Sequence, residues 1–290
     1  MISYEPKTWF KFIFKFHKSD AFRTIFPAMI VLCIITGVFV YIEISYLDIQ
    51  LKNTTFFHQV IGFVLSMLLV FRINTSYDRW WEGRKQWGAL MNNSRNLALK
   101  INALVPDEYR DEKMRLGTLI SNYALSLKEH LRSSYKPGEL DFSLGIEKEK
   151  LDRATHKPNF IANELFRYTY DLHSRSVINT EHLLLIDDEM QALTDITGAC
   201  ERIKNTPIPY SYSLYLKRII FLYVVTMPFA FAFDYKYWAI PVVAVVFYTF
   251  ASLELVSEEI EDPFGTDPND LPTDEIALKI KLSVHEILNY

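Results

Sequence analysis

Four long apolar runs constrain this sequence more than any other feature. Residues 25–46 and 55–73 form one closely spaced pair, and residues 216–233 and 237–256 form a second. A helix needs about 20 apolar residues to cross the hydrocarbon core of a bilayer. Charged residues lie towards the ends of these runs, so the pattern predicts two antiparallel transmembrane hairpins. Four buried helices of a soluble protein are the alternative.

The composition excludes several classes of protein. The chain has 290 residues and a formal net charge of −4, whereas a nucleic-acid-binding protein is usually markedly basic. Its two cysteines, Cys33 and Cys200, provide no disulfide framework, and both are expected to be packed thiols. The N-terminal segment spreads its lysines among aromatic residues, so no cleavable signal peptide is expected.

The cations predict the orientation of the hairpins. Positive charges are concentrated before the first run, after the second and at the start of the third, whereas the two turns carry only Lys52 and Lys236. The positive-inside rule then places both termini and the long middle segment in the cytoplasm, with both hairpin turns outside. The cations concerned are Lys7, Lys11, Lys15, Lys18, Arg23, Arg72, Arg79, Arg84, Lys85, Lys217 and Arg218.

The remaining segments, residues 74–215 and 257–290, are predicted to form a helical cytosolic region. Apolar residues recur there at spacings of three and four, as on one face of a helix. No internal repeat is evident apart from the two hairpins. We therefore expect one all-α unit over residues 1–290, without a separate enzyme domain.

No catalytic or metal-binding pattern stands out. The seven histidines form no HxxxH or HExxH pair, and the sequence contains neither a GxSxG motif nor a Walker loop. Consecutive acids at residues 187–189 point in different directions on a helix and cannot converge on one ion. The sequence therefore predicts a protein that is not an enzyme and has no metal site and no cofactor.

Three segments resemble the bacterial homologues of the bestrophin family. They are FRINTSYDRWWEGRKQWG at 71–88, GACERIKNTPIPYSY at 198–212 and EEIEDPFGTDPNDLP at 258–272, and their order and spacing agree along nearly the whole chain. The resemblance implies a homopentamer around one axial pore, with four transmembrane helices per subunit and a helical cytosolic funnel. Its partners would be other copies of the chain, the lipid bilayer and small inorganic ions.

The resemblance also implies a narrow pore neck. Phe63, Met67 and Phe71 lie four residues apart, on roughly one face of a helix, and match the positions of three bulky apolar residues that narrow the pore in the family. Rings of such side chains gate ions by excluding water. On periodicity alone, a stripe facing lipid or the protein core would be the simpler interpretation.

A second constriction is expected at the cytosolic end of the funnel, near Glu181 and His182. Other family members carry an apolar residue there, whereas a ring of glutamates would attract cations. The alternative is structural. Thr180 would cap a helix, and Glu181 in its first turn would interact favourably with the helix dipole.

The acids after the fourth run are expected to pair with the cations after the second. The predicted group comprises Arg72, Arg79, Arg84, Glu258, Glu261 and Asp262. In animal bestrophins an unbroken acidic segment follows PFG and binds calcium. Here Pro268 interrupts the acids Asp267 and Asp270, so no tight calcium gating is expected.

These observations favour a passive ion channel that prefers cations, since the pore face is apolar and acids are not outnumbered by basic residues at the proposed exit. The bacterial branch of the family includes a cation-selective member. An anion (chloride) channel of the same architecture and a non-conducting membrane scaffold remain the alternatives. A secondary transporter is disfavoured, because the centres of the runs carry no buried carboxylates.

Overall fold

A computed structural model describes residues 20–46, 54–134, 136–144 and 146–289, and every regular element in those ranges is helical. The expected cations Lys7, Lys11, Lys15, Lys18 and Lys52 lie outside the described residues. The α-helices are α1 (Asp20–Tyr46), α2 (Thr54–Leu104), α3 (Arg110–Leu131), α4 (Lys148–Arg153), α5 (Lys157–Ser174), α6 (Thr180–Asn205), α7 (Tyr210–Tyr235), α8 (Ala239–Glu261) and α9 (Thr273–Leu288).

The contacts divide the chain into two compact units. The apolar unit consists of Ile2–Arg79 and Pro207–Glu261, and the amphipathic unit consists chiefly of Trp80–Thr206 and Asp262–Tyr290. The division falls within α2, because the apolar run ends near its middle while the helix continues. The sequence between residues 54 and 104 contains no proline, and the helix ends just before Pro106, which is unfavourable to helix at the preceding residue.

Three helical stretches are long and apolar enough to cross a membrane, judged by length and composition: Ala21–Tyr46, Thr55–Leu104 and Tyr210–Glu261. The third stretch contains both α7 and α8, which pack against each other on either side of the turn Lys236–Trp238. At that turn Lys236 adopts φ 48° and ψ −129°. This backbone conformation reverses the chain direction within three residues.

The amphipathic unit is built around α3. Every residue from Leu116 to Glu129 is buried, since α9, α5 and α6 all pack on this helix. Gly117 allows α9 to approach closely, because a Cβ atom at this position would clash with the side chain of Leu288. Cys200 is buried in the same core, as expected, and burial raises the pKa of its thiol to about 12.

An ion cluster joins the end of α3 to the start of α9. The guanidinium of Arg132 binds both carboxylate oxygens of Asp274, at 3.0 and 2.8 Å, and Nζ of Lys128 lies 3.0 Å from Oδ1 of the same carboxylate. The hydrogen bonds from Arg132, together with the Lys128 ammonium, lower the pKa of Asp274 to about 2. The ionised carboxylate therefore stabilises the folded unit.

Replacing Asp274 by asparagine is expected to lower the free energy of unfolding by about 1 kcal/mol at neutral pH, a modest value because this side chain is largely exposed. The folded-state pKa is depressed, so the stabilisation is complete above the unfolded-state pKa of about 3.9 and is lost as the pH falls towards 2. Denaturation of wild type and variant from pH 6 down to pH 3 measures this. A difference that stays constant with pH would contradict the assignment, and Glu275→Gln is the control.

Candidate functional site

One face of α2 exposes large apolar side chains. Phe63, Met67 and Phe71 are 67%, 47% and 59% exposed in the isolated chain. A spacing of four residues places them nearly above one another on the helix. They form a continuous apolar stripe that no other described part of the chain covers.

The buried face of α2 is held against the rest of the apolar unit. Leu65 and Leu69 are buried among side chains of α1, α7 and α8. Gly62 lies directly against α7, since a Cβ atom there would be 2.5 Å from the hydroxyl of Tyr223. Hydrogen bonds between α2 and α7 follow the same antiparallel path: Thr55 to Ala230 (3.1 Å), His58 with Thr226 (3.0 Å) and Tyr212 to Leu68 (3.2 Å). These contacts fix the rotation of α2, so the exposed stripe keeps its direction.

A buried arginine, Arg72, directly follows the last residue of this stripe in the sequence. Arg72 is 1% exposed, and its Nη2 lies 2.7 Å from a carboxylate oxygen of Glu261. Its Nε lies 3.6 Å from Glu254, which is also buried. The second oxygen of Glu261 accepts the backbone N–H of Ile208 at 2.7 Å. Arg72 thereby connects α2 to α8, and Glu261 extends the cluster to Ile208, two residues before α7.

The other predicted ion pairs have different partners. Arg79 donates from Nε to the backbone carbonyl of Glu261 at 3.0 Å. Glu258 pairs with Lys217 at 2.8 Å, and Asp262 pairs with Lys204 at 3.6 Å. Arg84 is exposed and makes no salt bridge within the described residues. The hydropathy pattern predicted that these charged residues lie at the ends of apolar runs, but it could not predict which of them form ion pairs.

The start of α6 carries Glu181 and His182. Glu181 is exposed in the first turn, and the cap is Asn179, whose side chain accepts the backbone N–H of His182 at 2.7 Å. The prediction that Thr180 caps this helix is therefore wrong by one residue. Leu184 and Leu185, one turn later, are 62% and 48% exposed. These two exposed leucines were not identified from the sequence.

The acidic segment after α8 folds on itself. Asp270 is 1% exposed, and its Oδ2 accepts the backbone N–H of Asp267 at 2.7 Å. Gly265 allows this turn, since a Cβ atom there would lie 2.6 Å from the same oxygen. The Asp270 carboxylate thus stabilises this turn by accepting a backbone hydrogen bond.

A histidine–carboxylate cluster lies in the amphipathic unit, where the sequence predicted no such group. Oε1 of Glu201 lies 2.7 Å from Nε2 of His130 and 2.6 Å from Nε2 of His156. The three side chains are each 29% exposed, and the centroids of the two imidazole rings are 4.4 Å apart. Partial burial would raise the pKa of Glu201, but the hydrogen bonds from His156 and His130 outweigh it and lower that pKa.

Comparison with known proteins identifies the family of the chain. The family model described as "Bacterial/Fungal Bestrophin protein" matches residues 1–286. The voltage-dependent anion channel-forming protein of Nostoc sp. is 34% identical over 285 residues, which cover 97% of this chain and 92% of the relative. The protein of the same description from Synechocystis sp. is 35% identical over 231 residues, covering 78% and 75% of the two chains.

Solved structures agree with the sequence matches. A crystal structure of a bacterial bestrophin homologue from Klebsiella pneumoniae superimposes with a TM-score of 0.85 at 26% identity, covering 91% of this chain and 98% of that one. The fold, the matched length and the helical architecture therefore lead to one conclusion. The chain is a member of the bacterial and fungal bestrophin family.

Proposed function

We propose that the protein is an oligomeric channel through which small anions pass passively along an axial pore lined by α2. The observation that carries this proposal is the match over nearly the full chain to relatives named as voltage-dependent anion channel-forming proteins. Membership of the bestrophin family supports a channel over an enzyme.

The proposed assembly is a homopentamer in the inner membrane. Its four crossings per subunit are α1, the first part of α2, α7 and α8, where the reversal at Lys236–Trp238 makes two crossings out of the third apolar stretch. Both termini and the residues outside the crossings would lie on the cytoplasmic side, as the distribution of cations favours.

The neck of the proposed pore is formed by Phe63, Met67 and Phe71. Their exposure in a single chain leaves them available to face the equivalent side chains of other copies. Five such stripes around an axis would give an apolar constriction without fixed charge, which controls conduction by dewetting.

The expected preference for cations is revised in favour of anions, because the names of the relatives support the anion alternative. A physical reason accompanies the revision. Glu254 and Glu261 lie beside Arg72, Glu258 pairs with Lys217, and Asp262 pairs with Lys204. Each of these four acids therefore lies beside one of three cations, with Glu254 and Glu261 sharing Arg72, and they do not form an unpaired negative ring.

The proposed cytosolic constriction lies near the start of α6. Glu181 and His182 are the original candidates, and the exposed Leu184 and Leu185 supply apolar candidates one turn further along. An apolar ring formed by these leucines would not repel anions, whereas a ring of Glu181 side chains would.

Recording from purified protein in a planar bilayer tests the proposal. Under a potassium chloride gradient, the current is expected to reverse close to the equilibrium potential of chloride. Reversal close to the potassium potential would restore the cation hypothesis. An assembled protein that never conducts would instead support the scaffold.

A further inference from the structure

We propose that His130, His156 and Glu201 form a binding site for a divalent transition-metal ion, with Zn²⁺ as the best-fitting ion. The ligand atoms offered by these three residues all lie within 4.8 Å of one another. Two imidazole nitrogens and one carboxylate oxygen are a ligand set that zinc takes in proteins, with a water molecule as the fourth ligand.

The position of the cluster in the fold supports binding. His130 lies in the last turn of α3, His156 immediately precedes α5, and Glu201 lies near the end of α6. All three belong to the amphipathic unit, so the cluster is formed within one compact body. The side chains are each 29% exposed, which leaves a path for the ion and for a water ligand.

The present distances are those of hydrogen bonds between the carboxylate and the two rings. Nitrogen and oxygen ligands about 2.0–2.1 Å from a tetrahedral zinc ion are roughly 3.4 Å apart. The observed separations from Glu201 are 2.7 Å and 2.6 Å. Zinc therefore requires the carboxylate to move back by somewhat less than 1 Å, which the rotatable glutamate side chain allows.

The histidine tautomers determine how binding proceeds. The ionised carboxylate only accepts hydrogen bonds, so both Nε2 atoms carry a proton in the metal-free chain. Nδ1 of His156 accepts the backbone N–H of Asn159 at 3.1 Å and thereby caps α5. When Nε2 of His156 binds the metal, its proton must be replaced by one on Nδ1, and the cap is lost. A neutral ring keeps its proton count in this exchange, and an imidazolium releases one proton to solvent.

The experiment uses full-length protein, purified with an affinity tag that contains no histidine and stripped of metal with a chelator. Zinc titration by calorimetry is expected to show one site per chain. Glu201→Gln retains a hydrogen-bond acceptor but removes the charge, and it is expected to weaken binding at least about tenfold. His156→Asn removes the ring ligand while supplying a side chain well suited to the helix cap, so reduced affinity without unfolding is expected.

His285→Asn in α9 is the matched control and should bind zinc like the wild type. Melting temperatures measured in parallel should rise with zinc in the wild type and the control, and rise less in the cluster variants. Absence of stoichiometric binding by the wild type would overturn the proposal. Equal affinity in Glu201→Gln, His156→Asn and the wild type would also overturn it, because zinc would then bind elsewhere.

Discussion

Replacing Arg72 by methionine is expected to destabilise the apolar unit by about 3–5 kcal/mol. The guanidinium is almost completely buried and lies between two carboxylates, Glu261 at 2.7 Å and Glu254 at 3.6 Å. Methionine can fill much of the same volume but leaves both acids without their cation. Thermal unfolding of the detergent-solubilised protein, followed by tryptophan fluorescence or loss of the native chromatographic peak, measures the effect.

Lys217→Met provides the comparison for this prediction. The Lys217–Glu258 pair is about half exposed on both sides, and exposed ion pairs contribute about 1 kcal/mol or less. A triple variant that combines Arg72→Met with Glu254→Gln and Glu261→Gln should recover part of the lost stability, because the unpaired charges are removed. If Arg72→Met unfolds no more easily than Lys217→Met, the buried cluster has no structural importance.

Changing Phe63, Met67 and Phe71 together to alanine is expected to increase single-channel conductance several-fold. The prediction rests on the proposed pore, in which these exposed side chains form the narrowest apolar segment. Smaller side chains widen the neck and lower the cost of keeping it hydrated. Single-channel recording in bilayers, at equal salt on both sides, gives the conductance of each variant directly.

A variant with Phe221→Ala and Leu222→Ala is the matched control. Both residues are exposed and apolar, at 68% and 60%, but they lie on α7. Their removal should leave conductance unchanged. Equal increases in both variants would indicate a general loosening of the assembly, and no increase in the α2 variant would remove these side chains from the neck.

The helical architecture was predictable from the sequence, whereas helix ends and partners were less so. Apolar runs and three- and four-residue spacings predicted helices in all the main segments. The hydropathy boundary near Ile73 was not a helix boundary, since α2 continues to Leu104. The end of α2 could be explained from the sequence, because Pro106 disfavours a helical conformation at the residue before it.

The candidate sites were also predictable from the sequence only in part. The role of Phe63, Met67 and Phe71 as a pore neck was predicted from the family resemblance. The periodicity alone indicated only that these residues share one face of a helix. Pairing of Arg72 with Glu261 depends on how α2 and α8 pack, and several acids near residue 261 were equally plausible from the sequence. Adjacent polar residues also compete for a helix cap, so choosing Asn179 over Thr180 required the backbone geometry.

The histidine cluster was beyond the reach of sequence spacing. His130 and His156 lie 71 and 45 residues from Glu201 along the chain, far from any spacing at which one helix or turn presents two ligands. Only the packing of α3, α5 and α6 brings them together. Motif searches detect metal sites built from local segments, and this group comes from three separate elements.

The reversal between α7 and α8 carries residues that would anchor this hairpin in the proposed membrane assembly. Lys236 adopts a backbone conformation that costs an L-amino acid about 1–3 kcal/mol, yet the position holds a lysine and not a glycine. Beside it, Tyr237 and Trp238 are 55% and 75% exposed. Amphipathic rings settle at the headgroup level of a bilayer, and a lysine ammonium extends to the lipid phosphates. In the proposed membrane assembly, these three side chains are therefore expected to anchor the tip of the hairpin at the headgroup level.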